Sequence, residues 1–216
     1  MSDTKKRCVL IGAAEINNYD RVRSYLEGKD DFYVFCDGGL RHRERLGVEP
    51  DLIVGDFDSH DNPMLDIETI VLPREKDDTD TFFAVKEAVK RNFDDFLLLG
   101  VFGQRLDHTF GNISILMHLA KFKKTALAID DFAEFEIVAG NDKDDEIKYI
   151  DSSFSYFSLI SLCGRAEGIS VKNAKYPLSC ASIACDYQYG ISNEVLPDLC
   201  ASVSLKKGWL LLIKVF

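Results

Sequence analysis

Residues 36–59 read CDGGLRHRERLGVEPDLIVGDFDS. The same pattern occurs on both sides of the Gly47 break, where a short apolar run ends in glycine and acid. Tyr33-Val34-Phe35-Cys36 leads into Asp37-Gly38-Gly39, and Leu52-Ile53-Val54-Gly55 leads into Asp56-Phe57-Asp58-Ser59. Apolar runs of this length bounded by glycine suit the buried strands of a parallel sheet, whose ligands lie beyond the carboxyl ends of the strands. The two acidic ends stand about 20 residues apart, a spacing that a βα crossover allows, so they are expected to face one crevice.

Outward from this stretch the alternation continues. Cys8–Gly12 reads as a strand and Tyr19–Leu26 as a helix, and Leu40–Leu46 is helical in pattern, stopping at Gly47 with Pro50 beyond it. After Pro63 a further strand, Thr69–Leu72, is closed by Pro73, and Asp77-Asp78-Thr79-Asp80 opens a helix with the apolar stripe Phe82, Val85, Ala88 and Val89. Thr79 is placed as the N-cap, and Asp80 stands where a helix N-terminus favours negative charge. Phe96–Leu99 reads as a strand, Gly100–Asp107 as a polar loop, His108–Leu119 as a helix and Thr125–Ile129 as a strand. The alternation predicts an α/β fold: a three-layer N-terminal domain with a mainly parallel sheet over residues 1–140, with Glu134–Val138 inside it.

The texture changes at Gly140-Asn141-Asp142-Lys143-Asp144-Asp145, a polar turn cluster. Short β-rich segments follow at Tyr156–Leu162, Ile169–Val171, Ile183–Tyr187, Ala201–Leu205 and Trp209–Val215, with turns between them and hardly any helical period. Residues 141–216 are therefore expected to form a small all-β sandwich.

Composition removes several function classes. A hydrophobic fraction of 46% and a charged fraction of 29% are ordinary for a soluble globular protein, and runs such as Phe96-Leu97-Leu98-Leu99 are too short to span a bilayer. The N-terminus lacks the pattern of a signal peptide, so a cytoplasmic protein is expected. A net charge of −10 argues against a general nucleic-acid binder, because phosphate-backbone affinity comes from clustered Lys and Arg. The six cysteines form no C-x-x-C pair and are expected as buried free thiols. The single tryptophan, Trp209, is expected in the core.

Acid gathers at the strand ends: Asp37, then Asp56 and Asp58, then Asp77, Asp78 and Asp80, then Asp107. Any one of these also reads as a turn former, but their joint placement points to a site. Asp56 and Asp58, at i and i+2 of an extended chain, would lie about 6–7 Å apart on one side, and such hard oxygens suit Mg²⁺. Neither a P-loop nor a dinucleotide fingerprint occurs. Phosphates would instead be held by Mg²⁺, by backbone N–H groups of Gly38, Gly39 and Gly103, and by Arg105, Lys76 and Arg41. In the run Arg41-His42-Arg43-Glu44-Arg45, Arg43 and Arg45 read as a solvated helix face, and Arg41 is the phosphate candidate. Either Asp80 or Asp107 is a candidate proton acceptor, and His108 reads first as a cap.

Taken together, Asp37-Gly38-Gly39, Gly55-Asp56-Phe57-Asp58-Ser59, Lys76-Asp77-Asp78-Thr79-Asp80, Gly103-Gln104-Arg105-Leu106-Asp107-His108 and Gly190-Ile191-Ser192-Asn193-Glu194 resemble, in order, the motifs of the thiamine pyrophosphokinase family. The resemblance covers nearly the whole chain. It implies transfer of a diphosphoryl group from ATP to the hydroxyl of thiamine with Mg²⁺, by a homodimer that binds thiamine between subunits. By position it makes Asp56, Asp58, Asp77 and Asp80 the metal and phosphate-handling carboxylates, with Lys76 and Thr79 in the same motif. Asp37, Arg105 and Asp107 would line the nucleotide and thiamine site, and Ser192 and Asn193 would reach thiamine. Two positions depart from the family's usual pattern: Cys36 stands where Ala is common, and Gln104 replaces a Gly.

Three other readings compete with this one. A diphosphokinase acting on another small alcohol, such as a hydroxymethylpterin, would need the same carboxylates. A phosphohydrolase with an aspartate nucleophile matches Asp56-Phe57-Asp58 but leaves Asp77–Asp80 without a role. A nucleotide-sensing module without catalysis would be expected to lack some of the metal carboxylates, and none is missing.

Overall fold

The computed structural model describes residues 7–26, 30–57, 66–73, 75, 77–103, 105–140 and 147–216. The chain divides into two compact units, Met1–Asp131 and Phe132–Phe216.

In the first unit, β1 (Arg7–Ile11), β2 (Asp31–Cys36), β3 (Leu52–Gly55), β4 (Thr69–Val71), β5 (Asp95–Leu99) and β6 (Thr125–Ile129) lie in the order β4-β3-β2-β1-β5-β6. All of these pairings are parallel. The central strands are apolar on both faces because both faces are covered: Val9, Leu10, Leu52, Ile53, Leu97 and Leu98 are all fully buried. Each such side chain contributes ~1.5–3 kcal/mol relative to exposure.

The helices are α1 (Tyr19–Ser24), α2 (Arg43–Leu46), α3 (Asp80–Lys90) and α4 (Leu106–Lys121). α1 packs on α2 and α3 on α4. The chain steps outward from β1 to β4, then returns and steps the other way through β5 and β6. Right-handed crossovers therefore put the two helix pairs on opposite faces, which gives the three layers. Among the described residues no helix is long and apolar enough to cross a membrane.

The second unit is all-β. β7 (Ala133–Ala139), β13 (Trp209–Val215) and β9 (Tyr156–Ser161) form one antiparallel sheet. β11 (Leu178–Ala184), β10 (Arg165–Lys172), β12 (Ala201–Ser204) and β8 (Ile147–Ile150) form the other. Val138, Phe157, Leu159, Leu210 and Leu212 of the first sheet join Ile150, Ala166, Ile169, Val171, Ile183 and Val203 of the second in one core, so the unit is a sandwich.

The structure corrects the expected domain boundary. The unit break falls after Asp131, not after Gly140, because Ala133–Ala139 pairs along its whole length with β13 and contributes Val138 to the sandwich core. Two more expectations change. Only Cys8 and Cys36 are buried thiols, whereas Cys163, Cys180, Cys185 and Cys200 are exposed on the sandwich. Trp209 is half-buried and stands outside the inter-sheet core.

Candidate active site

The strand order reverses between β1 and β5, and such a reversal opens a crevice beyond the carboxyl ends of the strands. The loops there approach closely. A Cβ added to Gly12 would stand 2.6 Å from the Gly100 carbonyl oxygen, and one added to Gly39 would stand 2.2 Å from the Ile11 carbonyl oxygen. Only glycine admits backbones this close.

Asp37 follows β2 with φ 41 and begins a 3-10 helix, Asp37–His42, which runs directly into α2. The helix expected from Leu40 thus starts three residues earlier, on the acid itself. Asp37 Oδ1 is buried without a hydrogen-bond partner among the described residues. Its backbone lies against Gly55, where an added Cβ would be 3.1 Å from Asp37 Cα, and Asp56 therefore follows beside Asp37. Burial pushes the Cys36 thiol up, and the charges of Asp80 and then Asp37 push it the same way, while a hydrogen bond with Thr81 opposes them. These two aspartates accordingly flank the Cys36 side chain, and with Asp56 they bring together the ends of β2 and β3 and the start of α3.

Thr79 caps α3, its hydroxyl accepting from the Phe82 N–H at 3.2 Å, so Asp80 stands in the first turn as expected. Asp77 is exposed, and Asp78 is ion-paired with Lys86. Asp58, Lys76 and Gln104 lie outside the described residues. Phe57, the last described residue of this stretch, has φ 52, a left-handed rather than extended conformation, and the expected alignment of Asp56 with Asp58 falls outside the described residues. Among the described residues no group of three or more His, Cys, Asp or Glu side chains stands close enough to hold a metal ion. Mg²⁺ commonly takes only one or two carboxylates and completes its shell with water and phosphate oxygens, and the buried, unpartnered Asp37 oxygen at this edge fits a hard cation.

Arg41 is exposed and donates from Nε to the Gly38 carbonyl at 2.9 Å, so it stands over the Asp37-Gly38-Gly39 turn. α4 begins at Leu106, earlier than the expected His108, which puts Asp107 in its first turn. Arg105 donates to Asp107 at 2.6 Å, and that bond is the main cause holding the Asp107 carboxyl below the usual carboxylate range. Both side chains are exposed.

In the sandwich, Ser192 is exposed with φ 56, and its N–H donates to Ser158 Oγ at 3.0 Å. Asn193 is buried, and its amide serves the fold. It donates to the Tyr176 carbonyl at 2.8 Å and accepts from the Tyr176 and Glu194 N–H groups at 3.0 and 2.9 Å. Asn193 thus holds the segment that displays Ser192 and Tyr176.

His42 lies within a highly charged run, yet it is only 2% exposed. Its Nδ1 meets the Tyr19 hydroxyl at 2.5 Å and its Nε2 meets the Ala14 carbonyl at 2.9 Å. The i, i+3, i+7 spacing of the buried residues Gly39, His42 and Leu46 was the available signal.

Residues 23–129 match the thiamin pyrophosphokinase catalytic domain, and residues 145–210 match the vitamin B1 binding domain of the same enzymes. The chain belongs to the thiamin pyrophosphokinase family. A thiamine pyrophosphokinase of Bacillus subtilis is 29% identical over 174 residues, spanning 78% of this chain and 79% of that protein. Solved thiamin pyrophosphokinases share the fold. The Bacillus subtilis structure superposes with a TM-score of 0.82 at 22% identity, covering 97% of this chain and 99% of that one. The yeast structure superposes at 0.78 with 13% identity, covering 100% and 88%. The thiamin pyrophosphokinase resemblance drawn from the motifs thus holds for both units.

Proposed function

We propose that this protein transfers the diphosphoryl group of ATP to the hydroxyl of thiamine, giving thiamine diphosphate and AMP. The observation that carries the reading is the consecutive match of a catalytic and a vitamin B1 binding domain to the two parts of one chain. The thiamine hydroxyl oxygen forms a bond to the β-phosphorus, the bond from that phosphorus to the α–β bridging oxygen breaks, and AMP leaves. Such transfers need little covalent help from protein, and most of the acceleration comes from positioning and charge stabilisation.

The Gly38 and Gly39 turn, with Arg41 and Arg105, would hold the phosphate chain. Asp80 and Asp107 are the candidate proton acceptors, and the Arg105 pair holds the Asp107 carboxyl below the usual carboxylate range. Asp56, Asp58, Asp77 and Asp80 are the candidate carboxylates for Mg²⁺, of which one or two would bind it directly, with the buried Asp37 oxygen at the same edge. When bound, Mg²⁺ neutralises charge on the transferred phosphates. Ser192, held by Ser158, would meet thiamine from the sandwich, with Asn193 fixing that segment. We further assign the active form to a homodimer and the reaction to the cytoplasm. The four exposed thiols of the sandwich suit a reducing compartment.

Incubation with ATP, Mg²⁺ and thiamine, followed by chromatography, tests the reading. AMP and thiamine diphosphate should form in equal amounts, and omission of thiamine should stop most AMP formation. ADP as the main nucleotide product, or ATP consumption indifferent to thiamine, would overturn it.

A further inference from the structure

His42 occupies an unusual position for an imidazole in a highly charged segment. It is almost fully buried at the end of the 3-10 helix begun by Asp37-Gly38-Gly39, and both ring nitrogens are engaged by partners on other parts of the chain. The Ala14 carbonyl can only accept, so Nε2 carries the hydrogen. Nδ1 of the neutral ring is then a bare acceptor, and the Tyr19 hydroxyl donates to it. Burial lowers the imidazole pKa below its ordinary 6.5, and Arg41 and Arg45 add to this, so the neutral tautomer is the one the surroundings favour. The Arg45 guanidinium lies 3.8 Å above the Tyr19 ring and closes the network from outside.

The atom that His42 grips lies in the crevice wall. Ala14 belongs to the loop after β1, and its own N–H donates to the Gly100 carbonyl at 2.8 Å. Its Cβ would stand 3.1 Å from a Cβ on Gly103, in the loop that leads to Arg105. A single residue is therefore held through its carbonyl by the β2 turn and through its N–H by the loop after β5. The far end of the same β1 loop is fixed by Asp131, which accepts from the N–H groups of Asn17 and Asn18 at 2.9 and 2.8 Å. The loops after β1, β2 and β5 thus form one wired rim in which His42 is the only side chain joining the first to the second among the hydrogen bonds described.

We propose that His42 is a positioning residue for the nucleotide: as the Nε2–H tautomer it fixes the spacing between the Ala14 loop and the Asp37-Gly38-Gly39 turn, and so shapes the seat of the ATP phosphate chain. It rests on the assignment of ATP as substrate made above. The ring touches no reacting atom, because both nitrogens are committed inside the protein. Its loss acts on binding more than on chemistry.

The test compares His42→Leu, which keeps bulk and removes both bonds, with His42→Gln, whose amide can still donate to Ala14. For His42→Leu, KM for ATP should rise by about tenfold, while kcat falls less than about threefold and KM for thiamine moves less than about twofold. His42→Gln should lie within about threefold of the parent in KM for ATP. Equal KM for ATP in the two variants, or a loss confined to kcat, overturns the inference. Thermal melts and calorimetric Kd for ATP accompany the kinetics. If His42→Leu does not fold, His42→Gln and Tyr19→Phe decide the matter. Tyr19→Phe frees Nδ1 while sparing the Ala14 bond, and should weaken ATP binding by about twofold to fivefold. Unchanged ATP affinity in Tyr19→Phe together with weakened affinity in His42→Gln would refute the tautomer assignment. If the parent protein makes no thiamine diphosphate, the functional reading falls, and the calorimetric Kd for ATP still judges His42.

Discussion

Buried carboxylates along the sheets are paired in both units, as Asp31 is with Arg7 in the α/β unit, but the strand-end acid Asp37 is treated in the opposite way. In the sandwich, Glu134 and Glu136 of β7 meet Lys214 of β13, and Lys148 of β8 reaches Glu136 from the other sheet at 3.0 Å. Lys214 Nζ lies 2.9 Å from Glu136 and 5.4 Å above the Phe154 ring. Burial pushes Glu136 up, but the two lysines more than reverse it and leave its carboxyl below the usual value. In the α/β unit, Asp37 Oδ1 is buried with no such partner among the described residues. A neutralised carboxylate group joins sheets, whereas a carboxylate left with spare acceptor capacity at a strand end is set aside for something the chain does not itself supply.

This contrast predicts that removing charge from the two units has separable effects. The largest concerns the strand ends. Asp56→Asn should lower turnover by about two orders of magnitude with an unchanged thermal midpoint, since neutral Asn is a poor Mg²⁺ ligand. Asp107→Asn, which breaks only an exposed pair with Arg105, should cost less than about tenfold. Near-normal turnover of the Asp56 variant at saturating Mg²⁺ would break the comparison, because that carboxylate would then be structural too.

Next is the sandwich. Lys214→Met removes the cation shared by Glu134 and Glu136, at 7% and 14% side-chain exposure, leaves Lys148 on Glu136, and should destabilise the protein by roughly 3 kcal/mol in urea titrations. Turnover per folded molecule should stay within about twofold. A loss of activity larger than the loss of folded protein would mean that the network serves catalysis as well.

The smallest effect is a difference in acid sensitivity. His42 has a folded pKa below its ordinary 6.5, so its stabilising contribution is full above that pH and is lost as pH falls through the folded value. Glu136 is depressed from 4.5, and its contribution is likewise full above 4.5 and lost below it. On acidification the α/β unit should therefore loosen before the sandwich. Trp209, the only tryptophan, lies in the sandwich, and its fluorescence should change at lower pH than amide exchange of β1 and β2. Simultaneous transitions would show that the two units unfold as one.

Much of this architecture was legible in the chain. Thr125–Ile129 and Trp209–Val215 were bounded correctly because continuous apolar runs between turn residues leave little choice. Sequence pattern places a strand at Ile183–Tyr187, whereas the strand runs Leu178–Ala184. Its first half carries Cys180 at φ 50, and its partner β10 shifts register after Glu167, so the alternation that marks a strand is broken. Ile147–Ile150 was not singled out, since only Ile150 of its four residues is buried. Within the site, the acids were visible because strand-end aspartates can be counted. His42, and the structural role of Asn193 beyond the thiamine contact that the resemblance implies, are harder to see, because a buried polar group is defined by what it bonds to, and those partners are distant in sequence: Ala14 and Tyr19 for one, Tyr176 for the other.

The seam between Gly39 and Ile11 has a consequence for how freely this gene product can vary. Every amino acid except glycine brings the same first carbon, and at position 39 that carbon would land 2.2 Å from a carbonyl oxygen of the neighbouring strand. The side chain beyond it hardly matters. In a saturation library sorted for activity, the column for residue 39 should be blank from alanine to tryptophan alike. That uniform blank, indifferent to charge, size or polarity, would mark the seam as a limit set by backbone distance alone.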